Sequence, residues 1–300
     1  MLKKEVSVSF IVAIYNKKDY IRECLDSLLS QAINKEIICV DDCSTDGTYD
    51  ILIEYKRKYK EITIIRNNEN LGLIKTRLVG IKNAKGNYAM LVDADDSLIS
   101  NVIPKIYQVA IDNSADIIEF GYYTIYDDVT KLLKLDNKVF DKCLYELYID
   151  GVIINNLWNK LYSKKVYKSV IKFIDFNIKF DDYSDPVLFL YTFLKYAKIV
   201  VHTDLIAYNY YKNRTGMTTI DSNLKHFYHY CNFDVTYKFL KNTFGVNVYI
   251  ESLRNLLCNQ AVDMYLRLKP EDQNEHNKLC MKKMMTNREI EYLIECHKNK

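Results

Sequence analysis

The run Tyr88-Ala-Met-Leu-Val-Asp-Ala-Asp-Asp-Ser97 closes an apolar stretch with three carboxylates, Asp93, Asp95 and Asp96. Like charges crowded at the tip of a buried strand repel and raise one another's pKa, so such a cluster calls for compensation. A divalent cation provides it. Hard oxygen donors suit Mg²⁺ or Mn²⁺, which bind through one or two carboxylates while a substrate's phosphates complete the shell. The cluster therefore points to a metal-dependent site for a phosphate-bearing substrate at a strand's carboxyl end, where open α/β sheets hold their ligands. Tyr15-Asn16 follow an earlier apolar run in the same way, and Asp41-Asp42 close another. This convergence suits a nucleotide: Tyr15 to stack a base, Asp42 to accept from a base N–H, Asp95 to hold the metal on a diphosphate. A plain turn after a strand is the competing account of Tyr15 and Asn16.

The elements that must position these groups alternate regularly through the first 125 residues. Residues 6–14 form an apolar strand, and 18–32 a helix with Tyr20, Ile21, Cys24, Leu25, Leu28 and Leu29 on one face. A second strand spans 36–40; Ser44, Thr45 and Asp46 then offer capping oxygens to a helix reaching about residue 59. Strand 62–65, helix 71–83, strand 88–92, a helix ending at 110–113 and strand 115–123 follow. Such β-α repetition predicts an α/β fold with a mostly parallel central sheet flanked by helices. The pattern loosens after 126. Residues 127–138 read as a polar loop or short hairpin, 141–151, 155–168 and 186–196 as helices, and 198–201 with 206–211 as a strand pair. Beyond 221 the chain reads as purely helical. Two units are expected, a sheet domain over 1–220 and a helical extension over 221–300.

Composition sets the outer limits. With 49% apolar and 27% charged residues among 300, the chain matches a soluble globular protein. The net charge of +3 gives no argument for nucleic acid. Eight scattered cysteines without a Cys-x-x-Cys pair fit reduced thiols rather than a zinc site or a disulfide framework. The start reads as no signal peptide, and no apolar run approaches the ~20 residues of a membrane span. A cytoplasmic protein is expected, at most peripheral on a membrane. Lys282, Lys283, Arg288, Lys298 and Lys300 interleave with Met281, Met284, Met285, Ile290, Leu293 and Ile294. This pattern fits a basic amphipathic helix on a lipid surface, or a helix packed on its own core or on a second subunit of a homodimer.

Four blocks together resemble the GT-A family 2 glycosyltransferases. These are Val8-Ser-Phe-Ile-Val-Ala-Ile-Tyr-Asn16, Glu36-Ile-Ile-Cys-Val-Asp-Asp-Cys-Ser-Thr-Asp-Gly-Thr48, Asn70-Leu-Gly-Leu with Arg77, and Leu91-Val-Asp-Ala-Asp-Asp96. A weaker likeness continues through Trp158-Asn-Lys-Leu-Tyr162, Tyr183-Ser-Asp-Pro-Val-Leu-Phe189 and Tyr208-Asn-Tyr to Arg214-Thr-Gly-Met-Thr218, and thus covers residues 6 to 220. The resemblance implies a GT-A fold and transfer of a sugar from a nucleoside diphosphate, with a UDP-sugar as donor, to an acceptor hydroxyl with inversion. Mn²⁺ or Mg²⁺ would stabilise the departing diphosphate and a carboxylate would take the acceptor proton. It also implies a role in bacterial surface polysaccharide or glycolipid synthesis, with a saccharide or lipid-linked saccharide as acceptor.

By the same resemblance Ala13, Tyr15, Asp42, Arg77, Asp93, Ala94 and Arg214 fall on the donor side. Asp95, with Asp93, matches the metal position. Asp185 matches the general base, although Ser184 replaces the family's usual glutamate before it; Asp182 is the second candidate. Trp158 would lie near the acceptor. Each role has a plainer account: Arg77 as a surface arginine, Asp96 and Asp185 as helix caps, Trp158 as a buried helix tryptophan, Arg214 as part of a surface loop. His202, at a strand end, reads as structural. Three rivals share parts of the pattern. A haloacid-dehalogenase-like phosphatase would use Asp93 as nucleophile, but its motif would open the domain. A sugar nucleotidylyltransferase would carry a glycine-rich first loop where this chain has Ala-Ile-Tyr-Asn. A non-catalytic binding module on the GT-A fold is the third.

Overall fold

In a computed structural model of the chain, the residues described are 5–126, 129–142, 144–172, 185–212, 234–245, 248–268, 273, 277, 281, 282 and 285–298. The first half runs β1 (Val8–Ile14), α1 (Ile21–Leu29), β2 (Lys35–Asp41), α2 (Thr48–Lys58), β3 (Ile62–Arg66), α3 (Leu73–Asn83) and β4 (Tyr88–Asp93). Next come β5 (Ser97–Leu98), α4 (Ile103–Asp112), β6 (Ile117–Tyr126), β7 (Val129–Leu133), β8 (Lys138–Phe140), α5 (Leu144–Ile149), β9 (Lys160–Ser163) and α6 (Lys164–Ser169). The remainder is α7 (Asp185–Tyr196), β10 (Val200–Tyr211), α8 (Asp234–Phe244), α9 (Val248–Leu266) and α10 (Asn287–Lys298).

One sheet carries the molecule, in the order β3-β2-β1-β4-β9-β6-β10-β5, with β7 on β6 and β8 on β10. Period-two alternation divides its strands between two cores. Ile11, Ile38, Val40, Ala89 and Leu91 face a core shared with α3, α6 and α7. Phe10, Val12, Ile37, Cys39, Met90 and Val92 face the other, with α1, α2 and α4. Phe239, Leu240, Ile250, Leu253 and Leu257 of α8 and α9 join the first core, so the C-terminal helices pack on that face. Gly80 lets α3 lie directly on β1: a Cβ there would run into the Ile11 side chain.

Three expectations are corrected. The four strands β3-β2-β1-β4 are parallel, but β9 enters antiparallel to both β4 and β6, so the sheet as a whole is mixed. Residues 155–168 are not one helix but a turn, the four-residue β9 and the short α6. A run this brief has the same apolar pattern as a buried helix turn, and only its partners decide. The expected strand pair at 198–211 is a single strand, β10, which continues through Asp204 by shifting register between Thr203 and Tyr208. Within the expected loop or hairpin at 127–138, by contrast, Val129–Leu133 do fold back on β6 as β7.

No helix among the described residues is long and apolar enough to cross a membrane. Met281, Met285 and Ile290 pack with Cys258, Ala261, Val262 and Tyr265 of α9. These three, with Leu293 and Ile294 partly buried against them, thus belong to a third core of the chain's own.

Candidate functional site

The strand register brings the chemical groups to one edge. Ile14 of β1 stands beside Asp41 of β2, and Ala13 beside Asp93 of β4. Asp41-Asp42 and the Asp93–Asp96 turn therefore flank the exit of β1 on either side, about 10 Å apart at ~4.8 Å per strand. Between them the chain turns sharply at Asn16, which adopts φ 51°, a left-handed value that asparagine tolerates better than most residues. The Asn16 N–H donates to Ser44 Oγ at 3.0 Å, and its side-chain oxygen accepts from the Thr45 N–H at 2.8 Å. The Lys17 N–H donates to Thr48 Oγ1 at 2.9 Å and the Lys18 N–H to Asp46 Oδ2 at 3.0 Å. Ser44, Thr45 and Asp46, read in the sequence as caps for α2, thus tie the β1–α1 turn to the β2–α2 turn. Tyr15 stands 46% exposed on this edge, Ala13 is half-buried and Ala94 is buried.

The three carboxylates are each held differently. Asp93 pairs with Arg77 of α3, Nη2 to Oδ1 at 2.5 Å, and the arginine is buried, so it is no ordinary surface residue. Asp95 pairs with Lys17, Nζ to Oδ2 at 2.6 Å. Asp96 is buried; its Oδ1 accepts from the Tyr211 N–H at 2.9 Å, while Oδ2 has no hydrogen-bond partner among the described residues. It caps no helix, because β5 follows it directly; instead it fastens the end of β10. The Tyr208 hydroxyl accepts from the Asp93 N–H at 3.1 Å beneath the cluster. Burial pushes the Asp95 carboxyl up, with Lys17 drawing it back and Asp93 adding to the rise. Burial, then Asp93 and Asp95, push Asp96 well above the usual carboxylate range. Burial is thus the larger cause, and the repulsion expected from adjacent acids adds to it.

On the far side of β1, Asp42 is buried and turned toward the loop before α3. Its Oδ1 accepts from Asn67 Nδ2 at 2.7 Å and from the Leu71 N–H at 2.8 Å, and its Oδ2 from the Gly72 N–H at 2.9 Å. Gly72 sits at φ 81°, ψ 167°, a conformation open essentially to glycine alone. One chain of contacts therefore runs from Asp42 through Gly72 and α3 to Arg77 and Asp93. Asp41 lies 3.2 Å from Arg66 Nε, whose guanidinium stacks over Tyr49 at 4.1 Å.

Trp158 lies in a turn, not a helix, and is only 8% exposed. Its ring stacks on Tyr208 at 4.4 Å and Tyr210 at 5.2 Å, with Tyr122 edge-on at 4.6 Å. Through Tyr208 this aromatic group adjoins the carboxylate cluster. Asp185 is the first residue of α7. Asp182 and Arg214 lie outside the described residues. His202, Glu119 and Lys160 form a separate buried charge group on β10, β6 and β9.

Lys17, Tyr208 and Tyr211 are the contacts that the sequence reading missed. Lys17 could have been found: a cation two residues beyond a strand end falls on the edge where three acids collect. The two tyrosines lie far along the chain on a strand whose course was misread.

The donor chemistry at this edge fits a hard divalent cation. Among the described residues no three acidic, histidine or cysteine side chains close a cage, but Mg²⁺ and Mn²⁺ sites of this kind need only one or two carboxylates when phosphate oxygens complete the shell. Asp95 and Asp93 can provide them.

The family model for glycosyl transferase family 2 matches residues 9–177, more than half of the chain. A poly(ribitol-phosphate) beta-glucosyltransferase of Bacillus spizizenii is 33% identical over 217 residues, covering 69% of this chain and 32% of that protein. The uncharacterized glycosyltransferase EpsJ of Bacillus subtilis is 31% identical over 71% of this chain and 63% of its own length. The chain thus spans less than two thirds of these relatives. Among solved structures, S. aureus TarS 1-349 in complex with UDP-GlcNAc has the same fold (TM-score 0.67, 22% identity, 89% of this chain and 78% of that one). Mannosyltransferase PcManGT from Pyrobaculum calidifontis, in complex with GDP-Man and Mn²⁺, does so at TM-score 0.56 and 12% identity, over 94% of this chain and 74% of that one. A GT-A sheet edge with these acidic motifs and a family match over most of it leave no room for the phosphatase or nucleotidylyltransferase readings: the chain belongs to glycosyl transferase family 2.

Proposed function

We propose that this protein is an inverting glycosyltransferase that moves a sugar from a UDP-sugar to an acceptor hydroxyl in bacterial surface polysaccharide or glycolipid synthesis. The observation that carries the proposal is the meeting of Tyr15, Arg77, Asp93 and Asp95 around the exit of β1, with Asp42 bracing the loop beside them. Support for the donor and pathway comes from relatives: one is named for glucosyl transfer to poly(ribitol-phosphate), and a fold neighbour holds UDP-GlcNAc. The sheet domain over 1–220 would carry the reaction, and the helices over 221–300 would support it from the α3–α7 face.

In this account the exposed Tyr15 ring stacks on the base, and Arg77 contributes positive charge beside Asp93. A divalent cation held by Asp95 and Asp93 would neutralise charge on the departing diphosphate. Asp185, at the start of α7, removes the acceptor proton on the other side of the sugar, with Asp182 as the alternative base; a single displacement needs no covalent intermediate on the enzyme. Trp158 and the tyrosines stacked on it border the acceptor side, where aromatic faces suit a sugar's C–H surface.

A thermal-shift panel of nucleotide sugars with Mn²⁺ or with EDTA tests the reading, because a ligand that binds the native state raises its stability. At least one UDP-sugar should raise the melting temperature with Mn²⁺ and lose that effect in EDTA. Asp95→Ala should abolish the shift while still folding. Asp185→Asn should keep the shift and lose transfer; retained transfer would overturn the assigned base.

A further inference from the structure

Lys17 already holds a carboxylate oxygen that Asp95 would offer to a divalent cation. Its ammonium lies 2.6 Å from Asp95 Oδ2, and the two side chains are only 15% and 17% exposed, so solvent screens the pair weakly. The backbone around it is fixed. Ser44, Thr48 and Asp46 hold the N–H groups of residues 16, 17 and 18 in turn. Lys17 can therefore leave Asp95 by rotating its four-carbon side chain, without unfolding the turn. A displaced ammonium in a half-buried site needs another anion. The diphosphate expected beside Asp95 would be that anion.

We infer that the Lys17 ammonium is an internal competitor for the divalent cation at Asp95, so that metal and nucleoside diphosphate load together. The inference rests on the metal-dependent reading above and adds a rule to it. Without nucleotide, the cation must displace Lys17 into solvent. With nucleotide, the same displacement gives Lys17 a diphosphate to pair with, and each ligand strengthens the other by the same factor. Arg77 is built differently: buried on α3 against Asp93, it keeps its partner throughout.

Calorimetric titration of Mn²⁺ into wild type, Lys17→Met and Lys17→Arg, with and without UDP, tests this without any turnover. Lys17→Met should bind Mn²⁺ alone about tenfold more tightly than wild type, the scale of one half-buried ion pair. The gain in Mn²⁺ affinity that UDP confers should shrink by the same factor. Lys17→Arg, which keeps the positive charge, should behave like wild type. Wild type needs no variant to make its own point: UDP must raise its Mn²⁺ affinity. Equal or weaker Mn²⁺ binding by Lys17→Met, with wild type still binding Mn²⁺ and UDP together, overturns the inference and leaves the metal site intact. No Mn²⁺ binding by any of the three proteins, even with UDP, removes the metal site and the inference with it.

Discussion

Two charged clusters lie on the same sheet and were built to opposite ends. At the tip of β4, three carboxylates face two cations, and Lys17, Asp93 and Asp95 keep some access to solvent while Arg77 is buried. At the crossing of β6, β9 and β10, Glu119 and Lys160 are fully buried, 3.1 Å apart, with His202 Nε2 3.1 Å from the other Glu119 oxygen. The second group is closed. Lys160 donates to the Ile154 and Asn156 carbonyls and to Asn159 Oδ1, while Glu119 accepts from the Ile154 N–H and Asn159 Nδ2. The carboxyl pKa values diverge accordingly. Burial would push Glu119 up, but Lys160 and His202 hold it below the ordinary glutamate value, whereas Asp95 and Asp96 are raised. Surplus negative charge with an opening to solvent marks a place for a ligand. Balanced charge, with the lysine and the glutamate both hydrogen-bonded to the backbone and to Asn159, marks a fastener, here one that pins the turn carrying Trp158.

The contrast can be broken most directly at Lys160. Lys160→Met leaves Glu119 buried and unpaired, and should lower the unfolding free energy by about 3–5 kcal/mol in urea denaturation. Replacing both partners, with Glu119→Leu added, should recover much of the loss. Asp95→Asn should shift stability by no more than about 1 kcal/mol, because burial and the neighbouring Asp93 offset the attraction of Lys17. Equal losses at the two clusters would erase the distinction. Gly72→Ala comes next: forcing an L-residue to φ 81° should cost about 1–3 kcal/mol and loosen Arg77 by way of α3. The smallest effect is a difference in slope with pH. Glu119 has a lowered folded pKa, so its contribution is present above the ordinary glutamate value and is lost as pH falls through the folded one. Asp96 has a raised folded pKa, so its contribution is present in acid and is lost as pH rises through that value. Glu119→Gln should therefore cost most at neutral pH and least in acid. Asp96→Asn, which retains an acceptor for the Tyr211 N–H, should gain stability relative to wild type at neutral pH and lose that gain in acid. Parallel slopes would contradict the assigned charges.

Much of this contrast was legible before any coordinates, but unevenly. The edge of β1, β2 and β4 could be read because each apolar run stops at a polar pair, and parallel strands must end together. Arg77 could be placed because α3 begins a fixed distance after Gly72. Lys17 escaped notice because a lysine after a turn has the look of any solvated residue; only Asp95 gives it a meaning. The closed cluster was illegible because its parts come from distant segments, one of which, β9, has a helical pattern until Glu119 is seen opposite Lys160. Trp158 was read as either acceptor wall or buried helix residue; it is buried, yet in a turn and stacked on the tyrosine that supports Asp93. The proposed base at Asp185 has its place at the start of α7, while Asp182 and Arg214 lie outside the described residues.

The central claim, that a cation on Asp95 and a nucleoside diphosphate share the edge at the exit of β1, is tested most directly by a crystal structure with UDP and Mn²⁺, with anomalous data collected for manganese. The account predicts one strong anomalous peak coordinated by Asp95 and the diphosphate, the uracil beside Tyr15, and Lys17 turned away from Asp95 toward a phosphate oxygen. UDP bound elsewhere, or a peak that avoids Asp95 while Lys17 stays paired with it, would contradict the account.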